Sequence, residues 1–267
     1  MTSLMKDYTV IAVEAAQEAG KYLLSQRGKL QPEQIDQKAL NDFVTYVDHY
    51  SEKLIVDKIH SHFPDHKILA EEGTEKVLPN DYQWIIDPLD GTKNFIQDVP
   101  FFSVSIALAH KGRIIMGVVF DPVHQELFVA EKGQGAYCND VRMEVSRKPF
   151  SESLIATGFP FKAKHYLPRY LLCFEEIFIQ CSGMRRCGSA AIDLCYTAKG
   201  RFEGFWELGL SRWDMAAGSI IVREAKGMVS DFGGGDRYLE SGFIIAGNQE
   251  AHRELLKIVK NHFPEKM

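Results

Sequence analysis

Three apolar runs separated by short polar turns constrain this chain most: FSVSIALA at 102–109, RIIMGVVF at 113–120 and ELFVAE at 126–131. Each has the length of a strand and is rich in β-branched and aromatic residues. The connections HKG and DPVHQ have turn composition, so the three strands are expected to be adjacent and antiparallel. KILAEE and QWIIDP, just upstream, read as two more strands. Before them, Val10, Ile11, Ala15, Ala19, Tyr22 and Leu23 repeat with helical period over 8–26, and Gly28 ends the run. A second helical stripe, Val44, Val47, Leu54, Ile55, Ile59 and Phe63, stops at Pro64. The later half mixes types: SLIATGF, FEGFWEL, MVSDF and GFIIAG read as strands, and 166–178, 189–198, 215–225 and 250–262 as helices. The class that results is layered α+β with antiparallel pairing. Residues 146–153 form a seam, giving halves 1–148 and 149–267 that are expected to share one site.

Charge and cysteine content exclude several functions. A net charge of −5 with 25% charged residues gives no electrostatic footprint for nucleic acid. No apolar run reaches membrane-spanning length, so no membrane partner is expected. The N-terminus lacks the pattern of a secretion signal, and five cysteines without CxxC spacing argue against disulfides or a zinc knuckle. A cytoplasmic protein is expected. An acidic protein acting on a phosphorylated compound would need metal ions or local donors to offset its charge.

Four acids stand where solubility does not require them. Glu71 follows the apolar KILA, and Asp87 follows WII. In Asp87-Pro-Leu-Asp90-Gly91-Thr92, Pro88 fixes one dihedral and Gly91 permits close backbone approach, so two carboxylates can converge. If Gly91 and Thr92 open a short helix, free N–H groups offer an anion site beside them. Hard oxygen ligands without histidine or cysteine suit magnesium, manganese or calcium better than zinc. An Asx-type turn leaving a strand is the alternative reading. Asp214, before the helix MAAGSIIVREA, reads by itself as an N-cap, and Glu207 as a solvated charge at a strand end.

Taken together, AEEG at 70–73, WIIDPLDGTKNF at 84–95 and WDMAAGSIIVREAKG at 213–227 resemble the inositol monophosphatase family. KALNDFVTYVD at 38–48 and RRCGSAAIDL at 185–194 extend the likeness in the same order over essentially the whole chain. The resemblance implies an α-β-α-β-α sandwich, magnesium-dependent and lithium-sensitive hydrolysis of a phosphate monoester, and a homodimer. It implies one metal held by Glu71, Asp87 and the Leu89 carbonyl, another by Asp87, Asp90 and Asp214, and a weaker third at Glu71. Thr92, paired with Asp48, would orient the attacking water. Gly91 and Thr92 would meet phosphate oxygens, and Gly188, Ser189, Ala190, Glu207, Asp90 and Asp214 the substrate. Lys38 would lie in a loop over the metals. Cys187 departs from the proline of many bacterial relatives without removing a ligand.

The substrate class implied is a small phosphate monoester, with myo-inositol monophosphate first; DGTKNF favours that branch over nucleotide phosphatases. Fructose 1,6-bisphosphate and 3′-phosphoadenosine 5′-phosphate are the alternatives. A non-catalytic regulatory binding protein on the same fold is the alternative of another class, against which all of Glu71, Asp87, Asp90, Asp214 and Thr92 are present. The DxxD spacing disfavours a haloacid dehalogenase type, and a cysteine phosphatase is not expected, because no cysteine is read as followed by arginine at the Cx5R spacing.

Overall fold

The computed structural model describes residues 6–39 and 42–263. The first helix, α1 (Asp7–Gln26), places its alanine-rich stripe inward. A hairpin of β1 (Ile35–Ala39) and β2 (Asp42–Thr45) leads into α2 (Tyr46–His62). Val44, expected on the second helix, belongs to β2, because Thr45 caps the helix by accepting from Val47 N. Lys38, expected over the site, has a side chain outside the described residues.

An eight-stranded sheet follows, built from β3 (Lys67–Ala70), β4 (Glu75–Lys76), β5 (Tyr82–Asp90), β6 (Ser103–His110), β7 (Arg113–Asp121), β8 (Glu126–Glu131), β9 (Gly135–Cys138) and β10 (Val141–Met143). Its order is β10-β9-β8-β7-β6-β5-β3-β4, antiparallel except for the β3–β5 pair. The meander expected at β6, β7 and β8 is present. Between β5 and β6 lies a short helix, α3 (Thr92–Ile96).

The later residues form a five-stranded mixed sheet of β11 (Leu154–Thr157), β12 (Gly183–Arg185), β13 (Gly204–Leu208), β14 (Met228–Ser230) and β15 (Phe243–Gly247), in the order β12-β11-β13-β15-β14. Interleaved with them are α4 (Leu167–Gln180), α5 (Ala190–Ala198), α6 (Arg212–Glu224), α7 (Tyr238–Ser241) and α8 (Gln249–His262).

Strand alternation explains the layers. On β6, Val104, Ile106 and Leu108 pack with α1 and α2, while Ala107 and Ala109 pack with α5 and α6. The α5–α6 layer meets β11, β13 and β15 through Ala156, Phe205, Ile244 and Ala246. α4 and α8 cover the outer face of the second sheet around Tyr170, Trp206 and Leu255. The result is an α-β-α-β-α sandwich in which α5 and α6 lie buried between two sheets. No helix among the described residues is long and apolar enough to cross a membrane, and all five cysteines are free.

Candidate active site

Residue parity on β5 determines where its acids point. Trp84 and Ile86 face α1 and α2, whereas Ile85 faces the α5–α6 layer, and Asp87 has the parity of Ile85. Between Asp87, opposite Ser105, and Asp90, opposite Ser103, the register slips by one residue. The bulge turns Asp90 to the side of Asp87. The turn expected at DPLDGT therefore comes later than its sequence suggests, because strand pairing continues through Asp90. Gly91 makes the turn with φ +97°, and carbonyls of Phe101 and Gly188 lie 3.0 and 3.3 Å from where a Cβ would sit. It caps α3, so the short helix expected at Gly91 and Thr92 is there.

Asp214 reaches the same point from α6. Ser211, not Asp214, is the N-cap; Asp214 stands one turn position inside and accepts from Ser211 N at 2.7 Å, closing a capping box. The Ser-x-x-Asp spacing extends the helix three residues further toward its N-terminus than expected. Asp87, Asp90 and Asp214 then offer carboxylate oxygens within 4.8 Å of one another.

Burial, reinforced by Glu71, Asp90 and Asp214, holds the Asp87 carboxyl well above the usual carboxylate range. Burial pushes Asp90 up to about 6, against the donors Ser189 and Ala191. Burial and then Asp90 push Asp214 up to about 7. A positive charge beside these acids would bring them back toward their usual range. With oxygen donors alone and no histidine or cysteine in the group, it fits a hard divalent cation.

Glu71 follows β3, with its N–H on Ile86 O at 3.2 Å, and lines the same pocket. Its turn is held by Glu52, 4% exposed, which accepts from Glu72 N at 2.7 Å and Thr74 N at 3.1 Å. Ser51, also on α2, donates to Pro88 O at 2.9 Å. Neither was identified from the sequence, although polar side chains at 48, 51 and 52 among the apolar positions of a helix were a signal.

Asp48, on α2, is buried. Its Oδ2 accepts from Thr45 N and Oγ1 at 2.8 and 2.7 Å, and its Oδ1 accepts from Thr92 Oγ1 at 3.0 Å. Leu89 N donates to Asp87 Oδ1 at 3.0 Å, and Leu89 O lies 3.1 Å from Thr92 Oγ1. Thr92 has one hydroxyl proton between two acceptors, of which the carboxylate is the stronger.

Gly188, Ser189 and Ala190 border the pocket at the start of α5. The Ser189 hydroxyl, however, is engaged with Asp90 Oδ2 at 2.6 Å, and Ala191 N donates to the same oxygen at 2.8 Å. Ser189 also caps α5. Glu207, next to last on β13, stands in the pocket rather than in solvent; burial, then Asp193 and Asp214, push its carboxyl well up.

Over this acidic floor stands a rim that sequence reading did not assemble. Lys93 Nζ lies 4.2 Å from the centre of the Phe161 ring, and the Arg186 guanidinium 5.3 Å from it. Lys162 lines the same opening. Arg186 is part of the pocket wall.

Contrary to expectation, Cys195 and Arg201 do have the Cx5R spacing of cysteine phosphatases. They form no such loop. Cys195 is buried inside α5 with its thiol pushed well up, and Arg201 is paired with Glu126.

Comparison with known proteins agrees with this geometry. The model of the inositol monophosphatase family matches residues 4–263. Nus factor SuhB of Salmonella typhimurium strain LT2 is 45% identical over 263 residues, 98% of each chain. Nus factor SuhB of Escherichia coli K12 is 45% identical over 257 residues, 96% of each. The native crystal structure of extragenic suppressor protein SuhB from Bartonella henselae superposes with a TM-score of 0.92 at 40% identity, covering 96% of this chain and 99% of that one. An IMPase from Thermotoga maritima gives 0.89 at 34% identity, covering 97% and 99%. By motif order, layer architecture and these matches, the chain belongs to the inositol monophosphatase family.

Proposed function

We propose that this protein is a magnesium-dependent phosphatase of small phosphorylated alcohols, with myo-inositol monophosphate as its first substrate. The observation that carries the reading is the convergence of Asp87, Asp90 and Asp214 within 4.8 Å, from a bulged strand and a helix of the other half. Glu71, Asp87 and the Leu89 carbonyl would hold one ion, and Asp87, Asp90 and Asp214 a second. When bound, such ions lower the pKa of water and offset charge on a leaving alkoxide.

The chain's own residues supply the remainder. Asp48 fixes the Thr92 hydroxyl so that an oxygen lone pair can orient a water. Backbone N–H groups at Gly91 and Thr92, at the start of α3, face an incoming phosphate. Lys93, Lys162 and Arg186 raise the potential at the mouth of an otherwise acidic pocket and favour entry of an anionic ester. Gly188, Ala190 and Glu207 border the alcohol.

The test is phosphate release, with and without magnesium, from inositol 1-phosphate, fructose 1,6-bisphosphate and 3′-phosphoadenosine 5′-phosphate. Magnesium-dependent release favouring the first supports the reading; preference for another moves the substrate branch; no release from any overturns it. Lithium is expected to inhibit where sodium does not.

A non-catalytic binding role is the second reading, because the relatives at 45% identity carry the name Nus factor SuhB. It is compatible with a pocket that turns over phosphate esters. An apolar row on α4 suits a protein partner or the second copy of a homodimer: Leu171 is 53% exposed, Phe178 59% and Ile179 74%. Light scattering of the wild type and of Ile179→Glu distinguishes these, since only self-association would lower the mass of the variant.

A further inference from the structure

The strands β11 and β13 run parallel, with Thr157 opposite Trp206. The next residues, Gly158 just past the end of β11 and Glu207 still on β13, therefore lie side by side, both lining the pocket. A Cβ built on Gly158 would overlap the carboxylate of Glu207, meeting both oxygens and the carboxyl carbon before any backbone atom. Gly158 has no left-handed φ that would demand glycine for conformational reasons. The space that a side chain would fill is occupied by the Glu207 carboxylate.

Charged neighbours act on Glu207 from elsewhere in the pocket. Its carboxylate interacts electrostatically with Asp193 and Asp214, and with Arg186 of the pocket wall. Asp193 lies buried in α5, and its Oδ1 has no hydrogen-bond partner among the described residues. A carboxylate displaced from Gly158 could not retreat toward these acids without repulsion, so it must rotate within the pocket.

We infer that Gly158 is a positioning residue: it seats the Glu207 carboxylate at the alcohol side of the pocket, and through that seating it sets how strongly a hydroxyl donor on the alcohol is preferred. The selectivity rests on the phosphatase reading above, whereas the seating is a property of the fold. Leaving a buried carboxyl oxygen without its donor discriminates by about ten- to a hundredfold against a substrate lacking one.

The test is a double-mutant cycle of Gly158→Ala and Glu207→Ala, read two ways. The first reading is thermal: Gly158→Ala is expected to lower the melting temperature of the wild type, and to have little effect in Glu207→Ala, where the space is vacant. The second is kinetic, comparing inositol 1-phosphate with 4-nitrophenyl phosphate, whose leaving group carries no hydroxyl donor. Each single variant is expected to lose at least about tenfold more kcat/KM on the first ester than on the second. The double variant is expected to be no worse than Glu207→Ala. Equal thermal losses in both backgrounds would overturn the seating, and equal kinetic losses on both esters would overturn the selectivity. Absence of any phosphate release by the wild type would instead remove the phosphatase reading and the selectivity built on it, with the thermal cycle still deciding the seating.

Discussion

Replacing Asp214 with asparagine should stabilise the metal-free protein and abolish its activity. The amide keeps an oxygen for Ser211 N, so the α6 cap survives. Its nitrogen donates where Asp214 now meets the Asp87 carboxylate. What disappears is the charge. A carboxyl moved from 3.8 to about 7 carries about 4 kcal/mol of unfavourable interaction when fully ionised. Asp214 is open to solvent on the pocket side and shares its titration with Asp90, which reduces this to about 2 kcal/mol. The sign follows from proton counting. Between pH 4 and 7 the native protein retains a proton that the unfolded chain releases, so wild-type stability falls as pH rises through that window and is level above it. The variant lacks this loss. Urea unfolding of chelated protein should therefore show Asp214→Asn gaining on the wild type between pH 5 and 8, with a melting temperature about 4–8 °C higher at pH 8. A pH-independent difference, or a variant less stable at pH 8 than at pH 5 relative to wild type, would refute the argument that charge repulsion strains this cluster.

Adding magnesium to chelated wild type should raise its stability by about 2.7 kcal/mol at a hundred times the dissociation constant, and Asp90→Asn should lose most of that response together with most activity; calorimetry and phosphate release check both. Thr92→Val should cut kcat about 100-fold or more without changing magnesium half-saturation, because it removes a hydroxyl held by Asp48 rather than a ligand; steady-state kinetics at varied magnesium decide. Ser51→Ala leaves the buried Pro88 carbonyl without its donor, costing about 1–2 kcal/mol, and should weaken magnesium binding because Pro88 lies between Asp87 and Leu89.

Sequence alone was enough where the deciding forces are local. The β6–β7–β8 meander was legible because each strand and its turn are encoded within about ten residues, and α1, α4, α5 and α8 were legible from their periodicity. Glu71, Asp87 and Asp90 stood out because acids at the ends of apolar runs and beside DGT are costly placements, whereas Asp214 and Thr92 were picked out by the family resemblance; the structure brings Asp87, Asp90 and Asp214 together. The strand bulge that turns Asp90 toward Asp87 was not, since it arises in pairing with β6. Nor was the commitment of the Ser189 hydroxyl to Asp90, a contact 99 residues apart in the chain. Glu52 and Ser51 looked like ordinary polar positions of a helix, and only packing of α2 against the β3 and β5 ends shows what they hold. Gly158 and the Lys93, Lys162 and Arg186 rim carry no local signal, because their meaning depends on which loops the two sheets bring to one opening. The sequence by itself thus determined the acids, the elements and the family, all written in short-range pattern. Tertiary structure alone decided which oxygens converge, which hydroxyl is already engaged and which residues line the pocket, because those depend on register and on the stacking of two sheets across a shared helical layer.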